Sequence, residues 1–358
     1  MNKVIQYLFS PFTDVKHKKS THGITIPVLD GIRGLAVLIV LASHTNAFCM
    51  YGQGSIGVLL FFFLSGFVLI IPFYDNPEGV FHPGVLKKYF LNRVFRIVPA
   101  YVIIVGATAI IQNTGYEWYL WNISFLKGWN HFWSVAEEVR FYLLLPLIVI
   151  CMKFIRNKYI QIVIISIIAY FSYVIRNKHQ IDMMDGRHVG FYFYMFMGGV
   201  LTYLLINIPL LEKVAKNNFL YRIFVILSCV ILCSFMLTST ELIAKLWRPL
   251  FHNLPDNLAL NGWRIPYIWF FLFMILFFTV TFYQRGTANQ ILECYFLRHI
   301  GLLSFSIYLS HMVILIKLHN LGFREEGLFF AVFTISYLVS LISYIFVEKP
   351  FLLLKKRI

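Results

Sequence analysis

The sequence predicts an all-α protein, a polytopic transmembrane helix bundle of about ten spans with both termini in the cytosol. Three observations predict it. Fifty-nine per cent of the 358 residues are hydrophobic and only 13 per cent are charged, about half the charged share of a soluble domain. Such a chain cannot cover a globule with polar surface, but it can face lipid. Apolar runs recur along its length at about 20 residues each, the length a helix needs to cross a hydrocarbon core. The basic residues, finally, fall unevenly on the two sides of those runs.

The spans read at 27–50, 56–74, 98–112, 138–155, 159–175, 188–207, 219–239, 265–283, 300–319 and 327–347. Pro72 and Pro77 mark the end of the second, and Pro99 marks the start of the third. The 37 Phe, 21 Tyr and 7 Trp suit lipid-facing helices with rings at the interface. Of the 31 Lys and Arg residues, twenty lie on the side of the N-terminus and nine on the other, with Arg33 and Arg140 within or at the edge of spans. By the positive-inside rule the N-terminus is cytosolic, and an even span number returns the C-terminus to the same side. The net charge of +15 is therefore mostly a topology signal. No separate basic domain exists to bind nucleic acid. Residues 1–26 form a polar, basic cytosolic tail without the apolar core and cleavage site of a secretory signal, and 27–358 read as a single bundle. Cys49, Cys151, Cys229, Cys233 and Cys294 mostly lie in apolar runs without metal-ligand spacing, so they read as buried thiols and no metal is expected.

Ionisable residues within spans are costly and by default mark function. In LDGIRGLAVLIVLASH, Arg33 and His44 are eleven residues apart, which returns to nearly the same helix face about 16 Å further along the axis. The competing reading is a snorkelling arginine and a core histidine satisfied by a carbonyl. In WNHFWSVAEEVRFYLLLP, Glu138 and Tyr142 are four apart and share a face, while Glu137 points about 100° away and reads as a partner of the helix dipole. Arg93 and Arg96, three apart in LNRVFRIVPAY, can grip a phosphate or diphosphate together; ordinary positive-inside decoration is the alternative. His311 in SFSIYLSHMVI and Glu348 in VEKPF read more readily as bundle-locking contacts than as catalysts.

Taken in order, these segments resemble the acyltransferase family 3 membrane proteins, which O-acylate sugars of bacterial envelope polysaccharides. LDGIRGLAVLIVLASH is similar to that family's first helix, an Arg, ten residues, then a His. GVLLFFFLSGFVL resembles its second helix, ending at Ser65–Gly66–Phe67. NRVFRIVPAY resembles its Arg-x-x-Arg-Ile-x-Pro segment, FWSVAEEVRFYLLLP its Trp-Ser…Glu…Phe-Tyr segment, LSFSIYLSH its Tyr-Leu-x-His helix, and VEKPF its closing Glu-Lys/Arg-Pro-Phe. The chain departs from the pattern at Leu59, where many members have Asp, and at Val139, which fills the place of a second Glu; Glu137 is thus not a transferred residue. With the chain ending at Ile358, the fused extracytoplasmic hydrolase-like domain of many relatives is not expected.

The resemblance implies an acyl donor, usually acetyl-CoA, in the cytosol and a sugar acceptor beyond the membrane, with lipopolysaccharide O-antigen the expected acceptor and the bacterial cytoplasmic (inner) membrane the expected location. Arg93, Arg96 and Arg33 would hold the phosphates of the acyl-CoA. His44 would serve as general base on the sugar hydroxyl or carry the acyl group, and Glu138 would orient its ring. Asp30, Ser65, Trp133, Ser134, Tyr142, His311 and Glu348 are the further positions expected to hold the structure or touch substrate. A secondary transporter with an intramembrane Arg/His/Glu site is the alternative, against which stands the lack of paired inverted repeats.

Overall fold

The computed structural model describes residues 3–15, 26–47, 54–74, 79–126, 128–178, 192–209, 266–282, 286–323 and 325–354, with a few positions between 217 and 226. The described residues contain helices and no strand. Six helices are long and apolar enough to cross a bilayer, and two shorter apolar ones accompany them. The seventh expected span, 219–239, lies almost wholly outside the described residues. The helices fall into two compact units, one of residues 1–61 and 206–338, the other of 62–205 and 339–358.

The first unit opens with two short helices, α1 (Lys3–Leu8) and α2 (Ser10–Thr13), then α3 (Ile26–His44) and the beginning of α4 (Gly54–Tyr74). Its later helices are α10 (Pro266–Phe282), α11 (Thr287–Leu292), α12 (Tyr295–Asn320) and most of α13 (Glu325–Ser343). Glycines let these backbones meet. A Cβ on Gly31 would stand 1.8 Å from the Leu292 carbonyl oxygen, one on Gly34 2.1 Å from that of Leu297, and one on Gly301 1.8 Å from that of Asp30. In a lipid environment, where helix association rests on packing rather than on hydrophobic transfer, such small-residue seams are the principal glue. The N-terminal piece is not a loose tail. Phe12 stacks on His299 at 4.9 Å, Tyr295 flanks the same ring at 5.7 Å, and the Tyr295 hydroxyl donates to the Phe12 carbonyl.

The second unit holds the rest of α4, then α5 (Pro83–Gln112), α6 (Tyr116–Ile123), α7 (Trp133–Lys153), α8 (Lys158–Lys178) and α9 (Phe193–Ile206). It closes with the end of α13, a π turn at Tyr344–Glu348 and α14 (Lys349–Leu354). Here α4 and α9 make a reciprocal seam: a Cβ on Gly66 would meet the Phe196 oxygen at 1.9 Å, and one on Gly199 the Phe63 oxygen at 2.0 Å. Phe196 is stacked between Phe62 and Phe141, at 4.5 and 4.1 Å.

The third expected span differs most from the structure. Pro99 does not begin a helix; it lies inside α5, which runs 30 residues from Pro83, about 45 Å. The true start has its own signals: His82 caps Gly84 N–H, and Pro83 occupies the first turn, where its missing N–H is harmless. Membrane helices tolerate an internal proline because neighbouring groups satisfy the freed carbonyl. The consequence is positional, since Arg93 and Arg96 lie within a helix rather than ahead of one. Likewise α7 starts at Trp133 and α12 at Tyr295, each five residues before its expected span.

Gly301→Ala should lower the melting temperature of the purified protein, with a loss of about 1–3 kcal/mol typical of overpacking. Gly106→Ala is the matched control. Its Cβ would meet only Tyr119 at 3.5 Å, so stability should hold or rise by up to about 1 kcal/mol. Equal melting temperatures for the two variants would remove the α3–α12 seam from the account.

Candidate active site

In the first unit the residues of interest hang on α3 and α12. His44 is the last residue of α3, and its ring is exposed. His311 lies in the middle of α12 with no exposed surface. Their rings meet: His44 Nδ1 is 2.8 Å from His311 Nε2. The ring planes are within 8° and the centroids are 5.0 Å apart. Nearly parallel planes with nitrogens this close describe two imidazoles edge to edge, sharing a hydrogen bond in their common plane. The other nitrogen of His311, Nδ1, lies 2.5 Å from the Tyr308 carbonyl oxygen. His44 Nε2 faces the start of α4, where a Cβ on Gly54 would stand 3.6 Å from it.

At the other end of α3, Arg33 donates to Asp30 at 2.8 Å. Asp30 is buried, and the pair neutralises a cation that would be expensive unpaired in a membrane. One of the Arg33 donors is thus committed within its own helix.

The second unit holds the acidic cluster. Ser65 on α4 donates to Glu138 on α7 at 2.5 Å, and the Tyr142 hydroxyl, one turn along α7, bonds the same carboxylate. The Arg93 guanidinium lies over the Tyr142 ring at 5.8 Å. Tyr142 is the tenth of the 21 residues of α7, so Arg93 reaches the middle of that helix rather than its rim. Its Nε and the Asn92 Oδ1 are buried without a hydrogen-bond partner among the described residues. Tyr89, one turn before Arg93, donates to the Tyr142 carbonyl. Glu137 takes no part in this cluster: it pairs with Arg140 at 2.5 Å, and Arg140 reaches on to the Leu126 carbonyl, tying the preceding loop to α7.

The remaining sequence-predicted positions have these surroundings. Ser134 donates to the His131 carbonyl, a local helix-start bond. Trp133 is half-buried against Tyr192 at 4.8 Å and Phe62 at 6.0 Å. Glu348 is buried in the π turn. The sequence reading gave Glu138 the task of orienting His44; the partner that the structure shows on the His44 ring is His311, and the one on Glu138 is Ser65. Tyr89, Asn92 and the Tyr308 carbonyl were not singled out. For Tyr308 a signal existed, since it precedes His311 by three residues on one helix face. Among the described residues no three His, Cys, Asp or Glu side chains are grouped to hold a metal ion.

Bilayer-length helices that carry a histidine pair in one unit and a hydrogen-bonded carboxylate beside an arginine in the other define a multi-pass membrane protein with the groups of a transfer reaction. The family comparison specifies which. A model described as an acyltransferase domain, that of acyltransferase family 3, matches residues 26–347; the chain belongs to this family, which favours transfer chemistry over the transporter alternative. It is 28% identical over 163 residues to the peptidoglycan O-acetyltransferase OatA of Listeria monocytogenes, an alignment covering 37% of this chain and 25% of the relative. It is 26% identical over 189 residues to a Bacillus subtilis protein named "Putative peptidoglycan O-acetyltransferase YrhL", covering 44% of this chain and 29% of the relative. The chain therefore spans well under a third of the length of these curated relatives. No solved structure matches it.

Gly54→Val would place methyl groups against His44 Nε2. Acyl transfer should fall roughly a hundredfold, as misplacements of about 1 Å at a reacting centre do, while the melting temperature stays within a few degrees. Wild-type rates in the folded variant would show that Nε2 is approached from another side.

Proposed function

We propose that this protein is an O-acetyltransferase of the bacterial cytoplasmic membrane, moving an acetyl group from cytosolic acetyl-CoA to a hydroxyl of an envelope polysaccharide. The observation that carries the reading is the His44 ring, held at Nδ1 by a buried second histidine with Nε2 beside Gly54 at the end of α3, in a chain of an acyltransferase family. His44 is the general base. Nε2 takes the proton of the sugar hydroxyl as its oxygen attacks the thioester carbonyl. The C–O bond forms, the C–S bond breaks, and the imidazolium returns the proton to the leaving thiolate.

Arg93 and Arg96 receive the phosphates of the donor. Arg93 offers a buried N–H with no acceptor, and two guanidiniums one turn apart on a helix suit a diphosphate. A charge-assisted contact in a low-dielectric bundle is stronger than the same contact at a wet surface. Arg33, already paired with Asp30, would add field rather than a primary contact. For the acceptor, O-antigen is the expectation from the sequence. Peptidoglycan is the second reading, favoured by the names of the Listeria and Bacillus relatives.

Mass spectrometry of surface glycans from cells with and without this gene decides the acceptor. A one-acetyl increment that appears with the gene on O-antigen, or on muropeptides, identifies it; identical glycans in both strains would overturn the proposal. Replacing Arg93 and Arg96 by Ala should weaken acetyl-CoA binding to the purified protein at least tenfold, and Lys should not restore it fully, because an ammonium cannot make the forked contact. Unchanged binding by the double Ala variant would reduce both arginines to topology signals.

A further inference from the structure

We infer that His311 is the positioning residue of the reaction, fixing which nitrogen of His44 is the base through a relay that begins at the Tyr308 carbonyl. The inference rests on the proposed role of His44 and deepens it. A carbonyl oxygen only accepts hydrogen bonds. The His311 nitrogen that faces it, Nδ1 at 2.5 Å, must therefore carry the proton. In a neutral imidazole only one nitrogen is protonated, so His311 Nε2 is left with a lone pair. That lone pair faces His44 Nδ1 at 2.8 Å, which must in turn be the donor. His44 then has its own lone pair on Nε2, the nitrogen beside Gly54 at the end of α3. One backbone carbonyl thus sets two tautomers in series.

The relay matters in the transition state. When His44 Nε2 takes the hydroxyl proton, the ring becomes a cation with both nitrogens protonated, and its Nδ1–H bond to His311 becomes charge-assisted. His311 cannot turn away, because its ring is fully buried and its Nδ1–H is held by its own helix. The arrangement supplies what an Asp supplies in a Ser-His-Asp triad, orientation and support of the imidazolium, from a neutral acceptor that avoids placing an uncompensated carboxylate in the membrane. Beside the pair lie the Tyr308 ring, 5.5 Å from His311, and Ser43, which with His44 lines the approach to Gly54; neither of these two is a carboxylic acid.

The test has two parts. Protein labelled with 15N-histidine, with the His44 signals assigned by their loss in His44→Ala, reports the tautomer by NMR without substrate. The expected result is protonated Nδ1 and bare Nε2 at His44; the opposite tautomer, or an even mixture, overturns the relay whatever the enzyme's substrate proves to be. Kinetics then separate positioning from mere packing. His311→Gln keeps an acceptor oxygen close to the position of Nε2 and should retain kcat within about tenfold. His311→Asn, one bond shorter, and His311→Leu should lose a hundredfold or more in kcat with KM for acetyl-CoA unchanged. Equal loss in Gln, Asn and Leu variants that bind acetyl-CoA normally would overturn the positioning role. Loss of transfer in His44→Ala with full activity in all three His311 variants would keep the base and discard the relay, whereas full activity in His44→Ala would discard the base itself.

Discussion

The register between α3 and α12 is the constraint on which the first unit depends. Gly34 faces Gly301, its Cβ position 3.2 Å from the Gly301 nitrogen. Ten residues further along each helix, His44 faces His311. The two helices run in the same direction, so ten residues advance each by about 15 Å and turn each by the same angle. A contact locked at the glycines is therefore delivered in register to the histidines. Side chains larger than hydrogen at Gly31, Gly34 or Gly301 would wedge the backbones apart where a carbonyl now stands within about 2 Å of a built Cβ. The histidine pair, with its 2.8 Å bond, has little slack to absorb that movement, because hydrogen bonds weaken steeply with distance and angle.

In the second unit the corresponding constraint is the Glu138 carboxylate. A charge there must be hydrogen-bonded or neutralised, and two hydroxyls converge on it, Ser65 from α4 and Tyr142 from its own helix. The α4 hydroxyl can reach because the Gly66–Phe196 and Gly199–Phe63 approaches pin α4 in this layer. Tyr142 serves twice, its phenol on Glu138 and its ring face under Arg93. Cation and anion are thus linked through one aromatic side chain, which spaces them without direct collapse into an ion pair.

Much of this was legible in the sequence, and the gaps have physical causes. Apolar run length reports helices well, and the expected spans coincide with most of the described ones. The start of α5 was missed because Pro99 is a strong local stop signal in water, while a helix in lipid has no better use for its backbone groups than to continue through it. The facing of Glu138 and Tyr142 followed from four-residue spacing alone. The facing of Arg33 and His44 also followed from spacing, yet the partners did not. Asp30 is three residues before Arg33, an ordinary helical neighbour, and could have been paired by inspection. His311 is 267 residues from His44, and no periodicity links positions that only tertiary packing brings together. Sequence spacing speaks only for one helix at a time; the partner on the His44 ring is His311, where Glu138 was the expected one.

What marks the site is what local pairing leaves over. Arg33 has Asp30, Glu137 has Arg140, and Glu138 has Ser65 and Tyr142; each answers the cost of an ionisable group in an apolar surrounding with a partner a few residues or one helix away. Several groups depart from that pattern among the described residues, Asn92 Oδ1 and Arg298 Nε among them, and two bear on the proposed reaction. Arg93 keeps a buried N–H without an acceptor, and His44 keeps a nitrogen, Nε2, for which no protein hydrogen bond is formed although its other nitrogen is tightly held. A buried donor without an acceptor is expensive, so the Arg93 N–H calls for a ligand that completes it, while the exposed His44 lone pair is left for a proton. One is a fixed cation and the other a directed lone pair. Under the proposed function the first meets an anionic group of the donor and the second the proton of the acceptor hydroxyl.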